Sequence, residues 1–208
     1  QLASSVSKFI ADELGIPRGV SVVAGAGDNA AAACGVGIMQ EGQGFVSLGT
    51  SGVILTARSE CNPLAEAAVH TFCHALPNTW YQMGVILSAT NSLNWLSSII
   101  GQSPSQLAAK LNDEIDGPSS EKFYPYLSGE RTPLNDAHIR GGFAGLSTNS
   151  TATKLTQAVM EGVAFALRDC LEALKKAGPC PEQLLAIGGG GRSRYWLETI
   201  ATCLNTPI

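Results

Sequence analysis

The sequence predicts an α/β domain built on a mixed sheet with helices packed around it. Three observations carry this. Short apolar runs end in glycine at Val20 to Ala24, Phe45 to Leu48 and Leu184 to Ile187, which read as strands, and the first, apolar throughout, as one buried on both faces. Between them stand helical patterns of several turns, the strongest running from about Thr151 to Ala177 with Leu155, Val159, Val163, Ala166, Leu167, Cys170, Leu171 and Leu174 on one stripe. Two further pairs of apolar runs are joined by turn residues, which reads as hairpins and makes the sheet mixed.

Taken in order, residues 2–14 read as a helix with Val6, Phe9, Ile10 and Leu14 on one face, broken by Gly15-Ile16-Pro17-Arg18-Gly19. The strand at 20–24 leads into an alanine-rich helix that closes near Gly35-Val36-Gly37. Phe45 to Leu48 and Val53 to Thr56 form a hairpin about Gly49-Thr50-Ser51-Gly52, and Val69 to Ala75 with Thr79 to Val85 a second, turned at Pro77-Asn78. Helices are expected over Ser88 to Ile100 and Pro104 to Ile115, the latter because proline suits a first helical turn. Residues 116–140, rich in Pro, Gly and Ser, read as an ordered surface loop, and Phe143 to Leu146 as a short strand. Gly178-Pro179 ends the long helix, and a last helix spans roughly Ser193 to Leu204.

Composition bounds the function. The 208 residues are 45% hydrophobic and 14% charged, with a net charge of −4, which is a globular balance. No basic block marks a nucleic-acid partner, and no apolar run reaches the roughly 18–20 residues that cross a bilayer. Six cysteines without a CxxC pair point to a reducing, cytoplasmic setting. Cys61, His70, Cys73 and His74 match no common zinc spacing, and adjacent residues of a strand face opposite sides, so no metal site is expected there. The start at Gln1 and the stop at Ile208 read as cuts within a longer protein.

Three glycine turns and one carboxylate stand out. Asp28 follows Gly25-Ala26-Gly27 at a strand-to-helix turn, where a carboxylate is held rigidly at the edge of a sheet. It fits a catalytic group and equally a plain helix cap. Gly49-Thr50-Ser51-Gly52 fits either a hairpin turn or a phosphate cradle, with backbone N–H groups and two hydroxyls as donors. Gly188-Gly189-Gly190-Gly191 costs much backbone entropy to order, which favours a task beyond structure. None of these is a Walker A or GxGxxG motif.

Together the motifs resemble the second half of the FGGY carbohydrate kinases, and within that family its xylulokinase branch. The resemblance lies in Gly25–Ala31, Gly49–Gly52, Phe72-Cys73-His74-Ala75 with Met83-Gly84-Val85, Asn94-Trp95-Leu96, Pro125–Pro133, Gly141–Leu146 with Ala158–Glu161, and Gly188–Ser193, in the family's order. Lys154 departs from it. The resemblance implies a ribonuclease H-like (actin-like ATPase) domain with a mixed β-sheet flanked by helices, occupying 1–208 as a C-terminal kinase domain. It implies transfer of the γ-phosphoryl of ATP with Mg2+ to a ketopentose, D-xylulose first, with ribulose, fuculose or glycerol kinases and a non-catalytic sensor as the alternatives. Asp28 would be the general base and Asn29 would orient sugar or base. Gly49, Thr50 and Ser51 would meet the phosphates. Gly189, Gly190 and Arg194 would line the adenosine, with Thr90 and Asn94 beside them. The partners implied are a small-molecule sugar, ATP and the N-terminal domain of the same polypeptide, which holds most sugar contacts; a homodimer is compatible with the sequence. The 208 residues alone are expected to show no meaningful turnover.

Overall fold

The computed structural model describes residues 2–111, 115 and 117–208. The chain opens with β1 (Leu2–Ser5), α1 (Lys8–Leu14), β2 (Ser21–Val23) and α2 (Asp28–Gly35). The expected helix over 2–14 is therefore helical only from Lys8, and its first four residues are strand. Ser7 decides this: its Oγ accepts from the Ile10 amide and caps α1, so the helix starts after it, and the residues before it pair with β2. The strand expected to be buried on both faces is not. Val22 and Val23 are exposed, as are Phe9 (73%) and Leu14 (66%), because β1 and β2 form their own two-stranded ribbon outside the main sheet.

The main sheet holds β3 (Gly44–Leu48), β4 (Gly52–Arg58), β5 (His70–Cys73), β6 (Trp80–Ile86) and later β9. The intervening elements are α3 (Thr90–Ile100), α4 (Pro104–Ala108), β7 (Lys122–Tyr124), β8 (Gly142–Ala144) and α5 (Ala152–Ala177). β9 (Leu185–Ile187) and α6 (Arg194–Leu204) follow. The strand order is β5-β6-β4-β3-β9, antiparallel throughout except for β3 beside β9. Strand alternation sorts the side chains into two cores. Val46, Leu48, Ile54 and Ile86 face α3, α5 and α6, whereas Phe45, Leu55, Ala57 and Tyr81 face Ala30 and Ala33 of α2. The result is a layered α/β/α domain, as the sequence predicts.

α5 is the axis of the larger core, and its apolar stripe is buried from Val159 to Leu174. Arg58, 3% exposed, reaches from the end of β4 to the helix's last turn: Nη2 donates to the Leu174 carbonyl at 3.4 Å, Nη1 to the Pro179 carbonyl, and Nε to Gln82 Oε1 at 2.7 Å.

Two expectations need correction. α4 spans Pro104–Ala108, shorter than the helix expected to 115; residues 112–114 of that stretch lie outside the described residues. Nor is 116–140 simply a surface loop, although Asp116 also lies outside the described residues. β7 pairs with β8, and Phe123 is buried in a stack with Trp95 and Phe143, its ring centroid 4.8 Å from that of Phe143. Pro and Gly punctuation hid this strand, since the signal that mattered was a single buried aromatic.

Candidate active site

The site grows from the parallel pair β3 and β9. Parallel neighbours end at the same edge, and ligands of α/β sheets sit beyond the carboxyl ends of such strands. The glycine turn Gly49–Gly52 leaves β3 here and the run Gly188–Gly191 leaves β9. Gly188 has φ +88°, and a Cβ on it would stand 2.7 Å from the Leu48 carbonyl oxygen, so only glycine fits this crossing. Gly189–Arg192 then form a 3-10 turn that delivers the chain to Ser193, whose Oγ caps α6 by accepting from the Trp196 amide.

The β3–β4 turn caps another helix. α3 has no side-chain cap. Instead the Gly49 carbonyl accepts from the Thr90 amide (3.0 Å) and from Thr90 Oγ1 (2.7 Å), and the Thr50 carbonyl accepts from the Ala89 amide (2.9 Å). Gly190 closes the triangle: a Cβ there would meet Leu48 Cβ at 2.8 Å and Thr90 Cγ2 at 3.1 Å. Two glycine turns and the start of α3 are thus one packed unit.

Beside this unit lies a cavity of about 740 Å³, within the size range of small-molecule sites. Thr90, Asn94, Gly189, Gly190 and Arg194 all line it, which gathers five of the residues predicted from sequence. Gly49, Thr50 and Ser51 are not in its wall and join it through Thr90. Leu93, Met160, Tyr195 and Trp196 supply an apolar floor, and Pro104, Ser105 and Ala108 of α4 a side that the sequence reading missed. The available signal was the capping box Ser103–Gln106, which fixes α4 in place.

Asp28 and Asn29 stand elsewhere. Gly27 is the N-cap of α2, with no side-chain capping bond, and Asp28 is the first helical residue. The helix-cap reading of Asp28 is therefore corrected: its Oδ1 accepts from the Asn29 amide (2.8 Å) and Asn29 Nδ2 (3.2 Å). The adjoining cavity, about 510 Å³, is lined by Gly25, Gly27 and Ala30 on one side and Cys73, His74 and Ala75 on the other, and shares no residue with the larger one. Burial, reinforced by the Asp28 carboxylate, pushes the Tyr81 phenol up. His74 is committed to structure: Nδ1 accepts from the Leu76 amide at 3.2 Å, which leaves Nε2–H to donate to the Ile38 carbonyl at 3.1 Å.

With this geometry in hand, similarity to known proteins is informative. Residues 44–208 match the C-terminal domain of the FGGY family of carbohydrate kinases. The chain belongs to that family. It is 39% identical over 206 residues to the xylulose kinase of Staphylococcus epidermidis, covering 98% of this chain and 42% of that protein. To the xylulose kinase of Escherichia coli it is 45% identical over 185 residues, covering 88% of this chain and 38% of that protein. A crystal structure of a "xyloylose kinase" from Brucella ovis superposes with a TM-score of 0.92 at 53% identity, over 99% of this chain and 43% of that one. The FGGY chain thus has the ribonuclease H-like, actin-like ATPase fold and spans about two fifths of the length of these relatives. Asp28 and Asn29 precede the residues matched by the family domain. No helix among the described residues is long and apolar enough to cross a membrane.

Proposed function

We propose that this chain is the nucleotide-binding, C-terminal part of a kinase that transfers the γ-phosphoryl of ATP to a primary hydroxyl of D-xylulose. The observation that carries the reading is the cavity beyond the carboxyl ends of β3 and β9, walled by the glycine turn after β9 and by Thr90, whose Oγ1 bonds the turn after β3. The names of its relatives supply the sugar.

The residues divide the work. The turn Gly49-Thr50-Ser51 offers backbone amides and two hydroxyls to the phosphates, while Thr90, Asn94, Gly189, Gly190 and Arg194 enclose the adenosine. The apolar floor at Leu93, Met160 and Trp196 suits a base and excludes water. Asp28 acts as general base: the sugar hydroxyl loses its proton to the carboxylate, its oxygen bonds to the γ-phosphorus, and the bond to the β–γ bridging oxygen breaks as ADP leaves. Aspartate is a weak base, which a loose transition state tolerates because the proton leaves late. Asn29, held to Asp28 by hydrogen bonds, orients it. Mg2+ would offset the charge of the phosphates, and the hydroxyl oxygens of Thr50 and Ser51 are the hard donors that would help to hold it.

The two cavities are lined by different residues, so the reaction needs the γ-phosphoryl brought to Asp28. We assign that approach, and most sugar contacts, to the part of the protein outside this chain. The test is full-length protein with ATP, Mg2+ and a panel of D-xylulose, ribulose, fuculose and glycerol, following ADP release and the product by phosphorus NMR. Xylulose 5-phosphate as the preferred product supports the reading. Preference for another polyol moves it to a sibling kinase, and nucleotide binding without turnover on any of them makes the protein a sensor.

A further inference from the structure

The segment Pro125–Pro133 has no task in the reaction described above, yet it carries the least ordinary side chain of the domain. Glu130 is 3% exposed. Its Oε1 accepts from the Leu87 amide at 3.0 Å and from the Arg131 amide at 2.7 Å. Its Oε2 is buried with no hydrogen-bond partner, as is Ser88 Oγ, and these are the two such side-chain oxygens among the described residues. Both fall at one junction, where β6 hands the chain to α3. A buried acceptor left unpaired is costly, so stability alone does not account for a carboxylate here.

What the segment grips is specific. β5 pairs with β6 only as far as Met83. Beyond that point Thr132 takes over the edge: its amide donates to the Val85 carbonyl (3.0 Å), and its Oγ1 accepts from the Val85 amide (3.0 Å) while donating to the Ala68 carbonyl (2.8 Å). Glu130 then holds Leu87, the next amide on that edge. Three residues later Thr90 enters the cavity wall, bonds Gly49 and packs against Gly190.

We infer that Glu130 is a positioning residue for the nucleotide cavity: its carboxylate fixes the Leu87 amide, and with it the start of α3, so that Thr90 and Asn94 meet the ligand in register with the two glycine turns. The inference rests on the proposed reading for the identity of that ligand.

Full-length protein carrying Glu130→Asp, Glu130→Ala or Glu130→Gln tests this by steady-state kinetics, thermal unfolding and hydrogen exchange of the Leu87–Asn91 amides. Aspartate is one methylene too short to serve both amides, whereas glutamine keeps the accepting oxygen. For Glu130→Asp the KM for ATP is expected to rise about tenfold, with the KM for sugar within about twofold, and the Leu87 and Thr90 amides to exchange about tenfold faster. Glu130→Gln should restore both. The inference is overturned if folded Glu130→Asp and Glu130→Ala keep wild-type exchange and ATP KM, or if both KM values rise together. It is also overturned if neither variant folds, which would make Glu130 a core residue. Should the wild-type protein bind no ATP, it is the function that fails, and amide exchange alone decides the role of Glu130.

Discussion

Thr90 Oγ1 donates a 2.7 Å hydrogen bond to the carbonyl of Gly49, so that one side chain ties the larger cavity to the turn proposed to meet the phosphates. Thr90→Val keeps the shape and removes that bond. We expect it to weaken ATP binding about threefold to tenfold and to cost about 1 kcal/mol of stability, as loss of a single neutral hydrogen bond does. Titration calorimetry with ATP and a urea melt check both numbers.

The four-glycine run separates fold from ligand within two residues. At Gly188 an added Cβ meets the Leu48 carbonyl oxygen at 2.7 Å with φ at +88°, so Gly188→Ala should lose about 3 kcal/mol in a urea titration. At Gly189 nothing lies within 4 Å, and the residue lines the cavity. Gly189→Ala should leave stability within about 0.5 kcal/mol of wild type and act on nucleotide affinity instead.

That contrast also marks what was legible in the sequence. The run Gly188–Gly191 stood out in the sequence for the entropy it costs to order, which pointed beyond structure, whereas its tight crossing at Gly188 is visible only in the fold. The family resemblance, not the apolar pattern, singled out Thr90, Asn94, Gly189, Gly190 and Arg194, and the fold places all five around one cavity. What escaped was set by partners distant in sequence. The strand at Leu2–Ser5 exists because Ser7 caps a helix and leaves its predecessors to pair with β2. The β7 strand exists because Phe123 stacks on Trp95 and packs at a tilt against Phe143. The wall that α4 supplies depends on the tertiary position of five residues, which no periodicity can report.

Arg58 is a buried cation, and its three acceptors belong to β6, α5 and the loop after α5. Arg58→Met keeps the volume and strands these acceptors. A loss of about 3 kcal/mol is expected, read from the urea midpoint. Nucleotide affinity should be unchanged in the folded fraction, because none of these groups lines the cavity.

Glu121 sets an acid limit. Hydroxyls of Ser150, Ser120 and Ser119 donate to its carboxylate and hold its pKa down to about 2. A depressed folded value means that the unfolded chain takes up the proton first as pH falls, so stability rises with pH between about 2 and the ordinary carboxylate value of 4.5. The contribution is therefore complete above that window and lost as pH falls through it. The stability difference between wild type and Glu121→Gln should be constant near neutral pH and shrink across the window; a difference that stays level to the acid end would contradict it.

The proposed phosphoryl transfer turns on Asp28, the carboxylate at the first turn of α2. The most direct measurement is sugar-dependent ADP release by the full-length protein carrying Asp28→Asn, with ATP binding followed in parallel. Loss of turnover by about 10²- to 10⁴-fold, with ATP affinity within about twofold of wild type, is the predicted result. Turnover at the wild-type rate would contradict the assignment of Asp28 as the base.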